Sequence, residues 1–111
     1  MERRIGVRAR TDFRVVARDG LFASRCRGIE VSTMGIVLDR GRVVTSRDNT
    51  RVLVDLELHL PERFASIRAL GRPVWRLGSQ QAFRLVSMSD VDRLTLAEHM
   101  DVLRHRGVRL S

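Results

Sequence analysis

The clearest period in the chain lies near its middle. Val52, Val54, Leu56, Leu58 and Leu60 alternate with Leu53, Asp55, Glu57 and His59. A two-residue period sends alternate side chains to opposite faces, so this segment reads as a strand with one face in a core. Pro61-Glu62 stops it. Upstream, Phe13 to Arg18 is short and β-prone, and Asp19-Gly20 is a turn signal. Leu21 to Val31 alternates weakly, as a half-buried strand would. Ser32-Thr33-Met34-Gly35 interrupts it, Ile36-Val37-Leu38 resumes a strand ending near Asp39-Arg40-Gly41, and Asp48-Asn49 marks another turn. Downstream, Phe64 to Leu77 reads as a long strand bent at Gly71-Arg72-Pro73, because proline cannot donate to a central ladder. Gly78-Ser79 then turns into a last strand, Gln81 to Met88.

The period changes at Ser89. Ser89-Asp90-Val91-Asp92 sets a capping hydroxyl three residues before a carboxylate, and good helix formers run on to His105. Acids occupy the first turn, arginines the last, and Gly107 follows as a stop signal. The helix's apolar residues, Val91, Leu94, Leu96, Ala97, Met100, Val102 and Leu103, cover more than one stripe, which predicts a second contact besides the sheet. Five or six closely spaced strands followed by one helix predict an all-β domain, a small closed barrel with a C-terminal α-helix. The expected division is residues 1–12 as an N-terminal arm without strand or helix signal, 13–88 as barrel and 89–106 as helix. Strands alternating with helices are absent, which excludes Rossmann and P-loop folds, and no glycine-rich phosphate loop joins a strand to a helix.

Composition adds a charge to explain. The 111 residues carry 21 basic against 13 acidic side chains, +8 formally, and every basic one is arginine. A chain without lysine or tyrosine bears the mark of GC-rich coding, which raises arginine with no functional demand. The functional counterpart is an anionic partner, since a planar guanidinium fork donates two parallel hydrogen bonds to a phosphate. No apolar run approaches the ~18 residues of a membrane span, and Met1 to Gly6 lacks the apolar stretch of a secretory signal. The single cysteine, Cys26, forms no internal disulfide. A soluble cytoplasmic domain is expected.

Chemistry of an enzyme is not legible. His59, His99 and His105 share no chelating spacing and read as surface or boundary residues, and no Cys/His cluster suits a metal. Cys26, between Arg25 and Arg27, reads as strand packing. Trp75 reads as core or barrel rim. No catalytic residue, metal or cofactor is expected.

One constellation remains. Arg3-Arg4-Ile5-Gly6-Val7-Arg8 stands near the N-terminus, and Glu30-Val31-Ser32-Thr33-Met34-Gly35 begins 22 residues after Arg8. This order resembles the PilZ domain, a bacterial cyclic di-GMP receptor family whose signature is R-x-x-x-R followed by [D/N]-x-S-x-x-G. Arg4 and Arg8 match the first half, Ser32 and Gly35 the second, and Glu30 replaces the family's Asp or Asn. Gly71-Arg72-Pro73-Val74-Trp75-Arg76 is similar to the family's late strand, and Ala82-Phe83-Arg84-Leu85 with the helix to its C-terminal part. The arginine spacing alone carries little, since it recurs at Arg10–Arg14 and Arg68–Arg72 among others. The order of the pieces carries the resemblance.

The resemblance implies a six-stranded antiparallel barrel with a C-terminal helix, and an effector that binds cyclic di-GMP and signals to a partner protein. It implies that Arg4 and Arg8 lie on a mobile arm closing over the ligand, and that Arg3 reaches a second stacked ligand. Ser32 would donate its hydroxyl, Gly35 would let backbone approach the nucleotide, and Glu30 would hold a guanine edge with its acceptor moved by one C–C bond, ~1.5 Å. Two rivals accompany it. One is an adaptor of the same fold working by protein contacts, in motility or type IV pilus control, without nucleotide. The other is a basic barrel for RNA or single-stranded DNA. Five Phe and Trp residues, no tyrosine and no spaced aromatic pair on a strand make nucleic acid unlikely.

Overall fold

The computed structural model describes residues 9–20, 22–49, 53–61 and 64–105. Six strands, β1 (Ala9–Asp19), β2 (Phe22–Val31), β3 (Gly35–Asp39), β4 (Val54–His59), β5 (Ile67–Leu77) and β6 (Gln80–Met88), precede one helix, α1 (Asp90–His105). The strands close in the order β1-β2-β3-β6-β5-β4, every pair antiparallel. A closed barrel gives every strand a neighbour on both sides, so even the 11-residue β1 and β5 are not edge strands. The six-stranded barrel with one C-terminal helix is the fold the sequence predicts.

The two-residue period does the sorting. Val54, Leu56 and Leu58 point inward with Val15, Ile36, Leu38, Ile67 and Phe83, all at most 3% exposed. Cys26 is buried with them, its thiol 3.8 Å from the Ser24 carbonyl. β5 bends where expected, with register shifts at Leu70/Gly71 and Pro73/Trp75. A Cβ on Gly71 would stand 2.7 Å from Leu56 Cδ1 and 3.1 Å from Phe83 Cβ, so only glycine lets the bend lie against the core. The β5–β6 hairpin closes through Gly78 at φ 61°.

The Ser89 cap forms as the sequence predicts: its hydroxyl accepts from Asp92 N–H at 3.1 Å and its carbonyl from Arg93 N–H at 2.9 Å. α1 then closes onto the barrel through Leu96, His99 and Leu103, a spacing of three and four residues that makes one stripe.

Two expectations change. β1 opens at Ala9, not Phe13: Ala9 and Arg10 pair with Val31 and Glu30, ahead of an irregularity between Arg10 and Phe13. Backbone pairing sets that boundary, and no hydrophobic period announces it. The arm expected over 1–12 thus gives residues 9–12 to the barrel, while Arg3, Arg4 and Arg8 lie outside the described residues. His99 is no boundary residue; it is 2% exposed and meets the Phe13 ring edge-to-face at 5.9 Å. The Asp48-Asn49 turn forms as expected, within a 3-10 turn over Ser46–Asn49.

Candidate functional site

Ser32 and Gly35 build one turn between β2 and β3. Ser32 is fully buried, and its Oγ accepts from Gly35 N–H at 3.0 Å and Met34 N–H at 3.1 Å. Its own N–H donates to the Gly35 carbonyl at 2.9 Å, toward which the hydroxyl also points at 3.4 Å. Such short-range serine bonds are what an S-x-x-G spacing supplies in any turn. The hydroxyl expected to reach a ligand is thus engaged by its own turn and buried. Gly35 is buried, opens β3 and does not share the positive φ of Gly20, Gly41 and Gly78, so the turn asks no left-handed backbone of it.

Two outside bonds fix the turn. Leu85 N–H on β6 donates to the Met34 carbonyl at 2.8 Å, and Arg93 Nη1 on α1 donates to the Thr33 carbonyl at 2.6 Å. The turn is thus tied to the last strand and to the helix. Because Ala9 stands opposite Val31, the chain also enters the barrel beside it.

The strand register spreads a surface out from this turn. One outward row runs from Gly35 to Arg84 on β6 to Arg72 on β5. The next outward row runs Glu30, Val37, Ala82, Trp75 across β2, β3, β6 and β5. Strands lie ~4.8 Å apart, so the longer row spans about 14 Å, and the rows are one pleat, about 7 Å, apart. Small or shielded side chains, Gly35, Val37 and Ala82, make the floor, while half-buried Glu30 and exposed Trp75, Arg72 and Arg84 make the walls. Trp75, expected in the core or at the rim, stands on the outer face at 40% exposure because the irregularity at Pro73/Trp75 sets it opposite Ala82. Arg72 and Arg84 face each other directly, and neither has a carboxylate partner among the described residues. Like charges so placed repel. An anion laid across the rows would relieve that repulsion.

A separate cleft of about 550 Å³ lies on β1, β2 and the end of β3, lined by residues including Asp12, Arg14, Arg25, Arg27 and Asp39. Arg27 grips Asp12 through both nitrogens of its fork, a bond that holds the Asp12 carboxyl below its ordinary pKa. None of Glu30, Ser32 and Gly35 lines this cleft, so cavity size and motif point to different places. The motif surface has the better chemistry, since in the cleft Asp12 and Asp39 offset two of three arginines.

Sequence reasoning missed Arg72, Arg84 and Arg93. Arg72 and Arg84 do occupy polar positions of alternating strands, but only the register shows that they meet beside Gly35. Arg93 looked like one more helix arginine. Among the described residues, no group of three His, Cys, Asp or Glu side chains is placed to hold a metal, and no helix is long and apolar enough to cross a membrane.

No protein-family profile matches the chain, and no curated protein matches it in sequence. Solved structures do match in shape. The Bacillus subtilis inhibitor of motility (MotI/DgrA) superposes with a TM-score of 0.74 at 15% identity, over 96% of this chain and 53% of that one. This chain therefore spans about half the length of that protein. An uncharacterized Legionella protein superposes with a TM-score of 0.58 at 13% identity, over 89% of this chain and 95% of its own. Barrel, helix and the match to the inhibitor of motility together make this a PilZ-like fold.

Proposed function

We propose that this chain is a cytoplasmic, non-enzymatic cyclic di-GMP effector that takes the nucleotide on the outer face of β2, β3, β6 and β5 and signals to a partner protein. The observation that carries the reading is the unneutralised Arg84–Arg72 row beside the Ser32–Gly35 turn. Guanidinium forks there suit phosphodiester oxygens, the Trp75 face suits a purine, and the Glu30 carboxylate suits the N–H edge of guanine. Arg4 and Arg8, with Arg3, would come over the ligand from the strand that enters beside the turn, and their ordering would present a new surface. The likeness to an inhibitor of motility supports motility control as the setting.

Ser32 favours a second reading. Its hydroxyl accepts two backbone N–H bonds of its own turn, a structural role that would also suit an adaptor of the same fold working by protein contacts alone. Calorimetric titration with cyclic di-GMP, with GTP as control, separates the two. The effector reading expects saturable 1:1 or 2:1 binding selective for the cyclic dinucleotide, lost on Arg4→Ala or Arg8→Ala and kept on Arg14→Ala. Absence of heat at saturating nucleotide leaves the adaptor.

A further inference from the structure

Arg93 stands at the wrong end of its helix for its charge. It closes the first turn of α1, where the helix dipole favours the anions Asp90 and Asp92 and works against a cation. Its side chain crosses to the β2–β3 turn and donates from Nη1 to the Thr33 carbonyl at 2.6 Å. A bond to a neutral carbonyl does not neutralise a guanidinium, and no carboxylate among the described residues pairs with this one. Nε and Nη2 have no protein partner among the described residues, yet neither is shut off from solvent. This half-buried arginine thus commits one nitrogen to the protein and keeps the Nε–Nη2 edge open. It is the same edge with which Arg27 grips the Asp12 carboxylate.

The place of that open edge gives it a use. Thr33 lies two residues before Gly35, at most about 7 Å along the chain. Gly35 opens the row that runs to Arg84 and Arg72. Three guanidinium groups without a carboxylate partner therefore gather round one turn. A structural tie asks only for a donor, since Leu85 N–H holds the Met34 carbonyl of the same turn at 2.8 Å with no charge at all. The charge of Arg93 answers to something else. An anion with oxygens facing several of these arginines relieves their repulsion.

We propose that Arg93 is a further ligand-holding residue of this site. Its Nε–Nη2 edge takes a phosphodiester oxygen of the nucleotide laid across the Arg84–Arg72 row, while Nη1 keeps the Thr33 carbonyl. The inference rests on the effector reading and adds α1 to the site, so that a bound nucleotide bridges the motif turn and the helix.

Calorimetric titration with cyclic di-GMP tests it, run well below the melting temperature of every variant so that a lost Thr33 tie does not enter as unfolding. Arg93→Met removes every donor and should weaken binding at least tenfold. Arg93→Lys keeps the charge but not the planar fork, and should weaken binding at least threefold. A mere tie would leave one further readout unmoved, the side-chain Nε–H resonance of Arg93 in wild type, identified by its absence from Arg93→Lys. That resonance should shift, and exchange more slowly with water, at saturating nucleotide. Wild-type affinity in Arg93→Met, or an Nε–H resonance that nucleotide does not move, overturns the inference and leaves the effector reading standing. No binding by wild type overturns both, and the wild-type titration tells that case from the other two.

Discussion

Arg68 and Arg72 lie four residues apart on β5, yet they live in different electrostatic surroundings. Arg68 donates to Glu57 at 3.1 Å, and the same carboxylate takes Arg18 at 3.3 Å and lies 2.8 Å from His59 Nε2. Cross-strand register explains the convergence, since Glu57 on β4 stands between Val16 of β1 and Arg68 of β5. Arg72 meets Arg84 instead, and no carboxylate among the described residues joins them. One pole of the outer face is therefore closed upon itself, and the other is open to an anion. An arginine's partner, more than its spacing from another arginine, decides which kind it is. Both Arg4–Arg8 and Arg68–Arg72 fit R-x-x-x-R, and only partners can tell such pairs apart.

The largest effect should come from the open pole. Arg84→Ala and Arg72→Ala should each weaken cyclic di-GMP binding by about 1–3 kcal/mol, roughly 5- to 150-fold in Kd. Neither should lower the melting temperature, because removing one of two opposed cations relieves repulsion. Arg68→Ala should do the reverse, with nucleotide affinity kept and a little stability lost. Equal affinity losses from Arg68→Ala and Arg84→Ala would collapse the comparison into general charge attraction.

Ser32 belongs with the closed pole although it sits in the motif. Ser32→Ala removes the acceptor of two buried backbone N–H groups and should destabilise the fold by about 1–3 kcal/mol in chemical denaturation. An unchanged unfolding midpoint, together with lost nucleotide binding, would move Ser32 to the ligand side of the comparison.

The closed pole should also show itself in acid. Burial works against the Glu57 charge, but the His59 hydrogen bond and the Arg18 and Arg68 charges outweigh it and hold its pKa below the ordinary 4.5. A carboxylate with a lowered folded pKa adds stability that is complete above the unfolded value and fades as pH falls through the folded one. Glu57→Gln should therefore cost at most about 1 kcal/mol near neutral pH, given how exposed Arg18 and Arg68 are. Wild type and variant should converge as pH falls below the ordinary carboxylate range and through the lowered folded value. A gap that widens in acid would contradict the assignment.

Much of this was written in the sequence, unevenly. The β4 alternation and the Ser89 cap are local signals, and a local signal survives the absence of a structure. The same holds for the Gly71-Arg72-Pro73 bend, where one residue lacks a donor and another lacks a Cβ. β1's first residues were not legible, because only pairing with Val31 and Glu30 makes Ala9 and Arg10 a strand. The open pole was not legible either. Arg72, Arg84, Trp75 and Glu30 are up to 54 residues apart in sequence, from Glu30 to Arg84, and meet only through a register that no single strand encodes. His99 was misread because a polar side chain on a helix ordinarily faces water, whereas here it completes the Leu96–Leu103 stripe over Phe13.

The smallest effect, and the one that turns on a single methylene, concerns Glu30. It faces outward beside the β2–β3 irregularity, opposite Arg10 on one side and Val37 on the other, so its backbone is fixed by pairing on both flanks. Glu30→Asp keeps charge and hydrogen-bonding type and draws the carboxylate back by ~1.5 Å. If Trp75 and the Arg84–Arg72 row hold the nucleotide where the shorter acid would meet the guanine edge, Glu30→Asp tightens binding. Rotamer adjustment of the native glutamate already recovers part of one charged hydrogen bond, so the gain should be no more than about 1 kcal/mol, five-fold in Kd. If the site has settled around the longer side chain, the same change opens a gap and loosens binding by a similar factor. The direction of the calorimetric shift therefore reports whether the floor of Val37 and Ala82 sets the base's depth or the carboxylate does. No binding by either protein would leave the open pole without its nucleotide, and the chain as an adaptor.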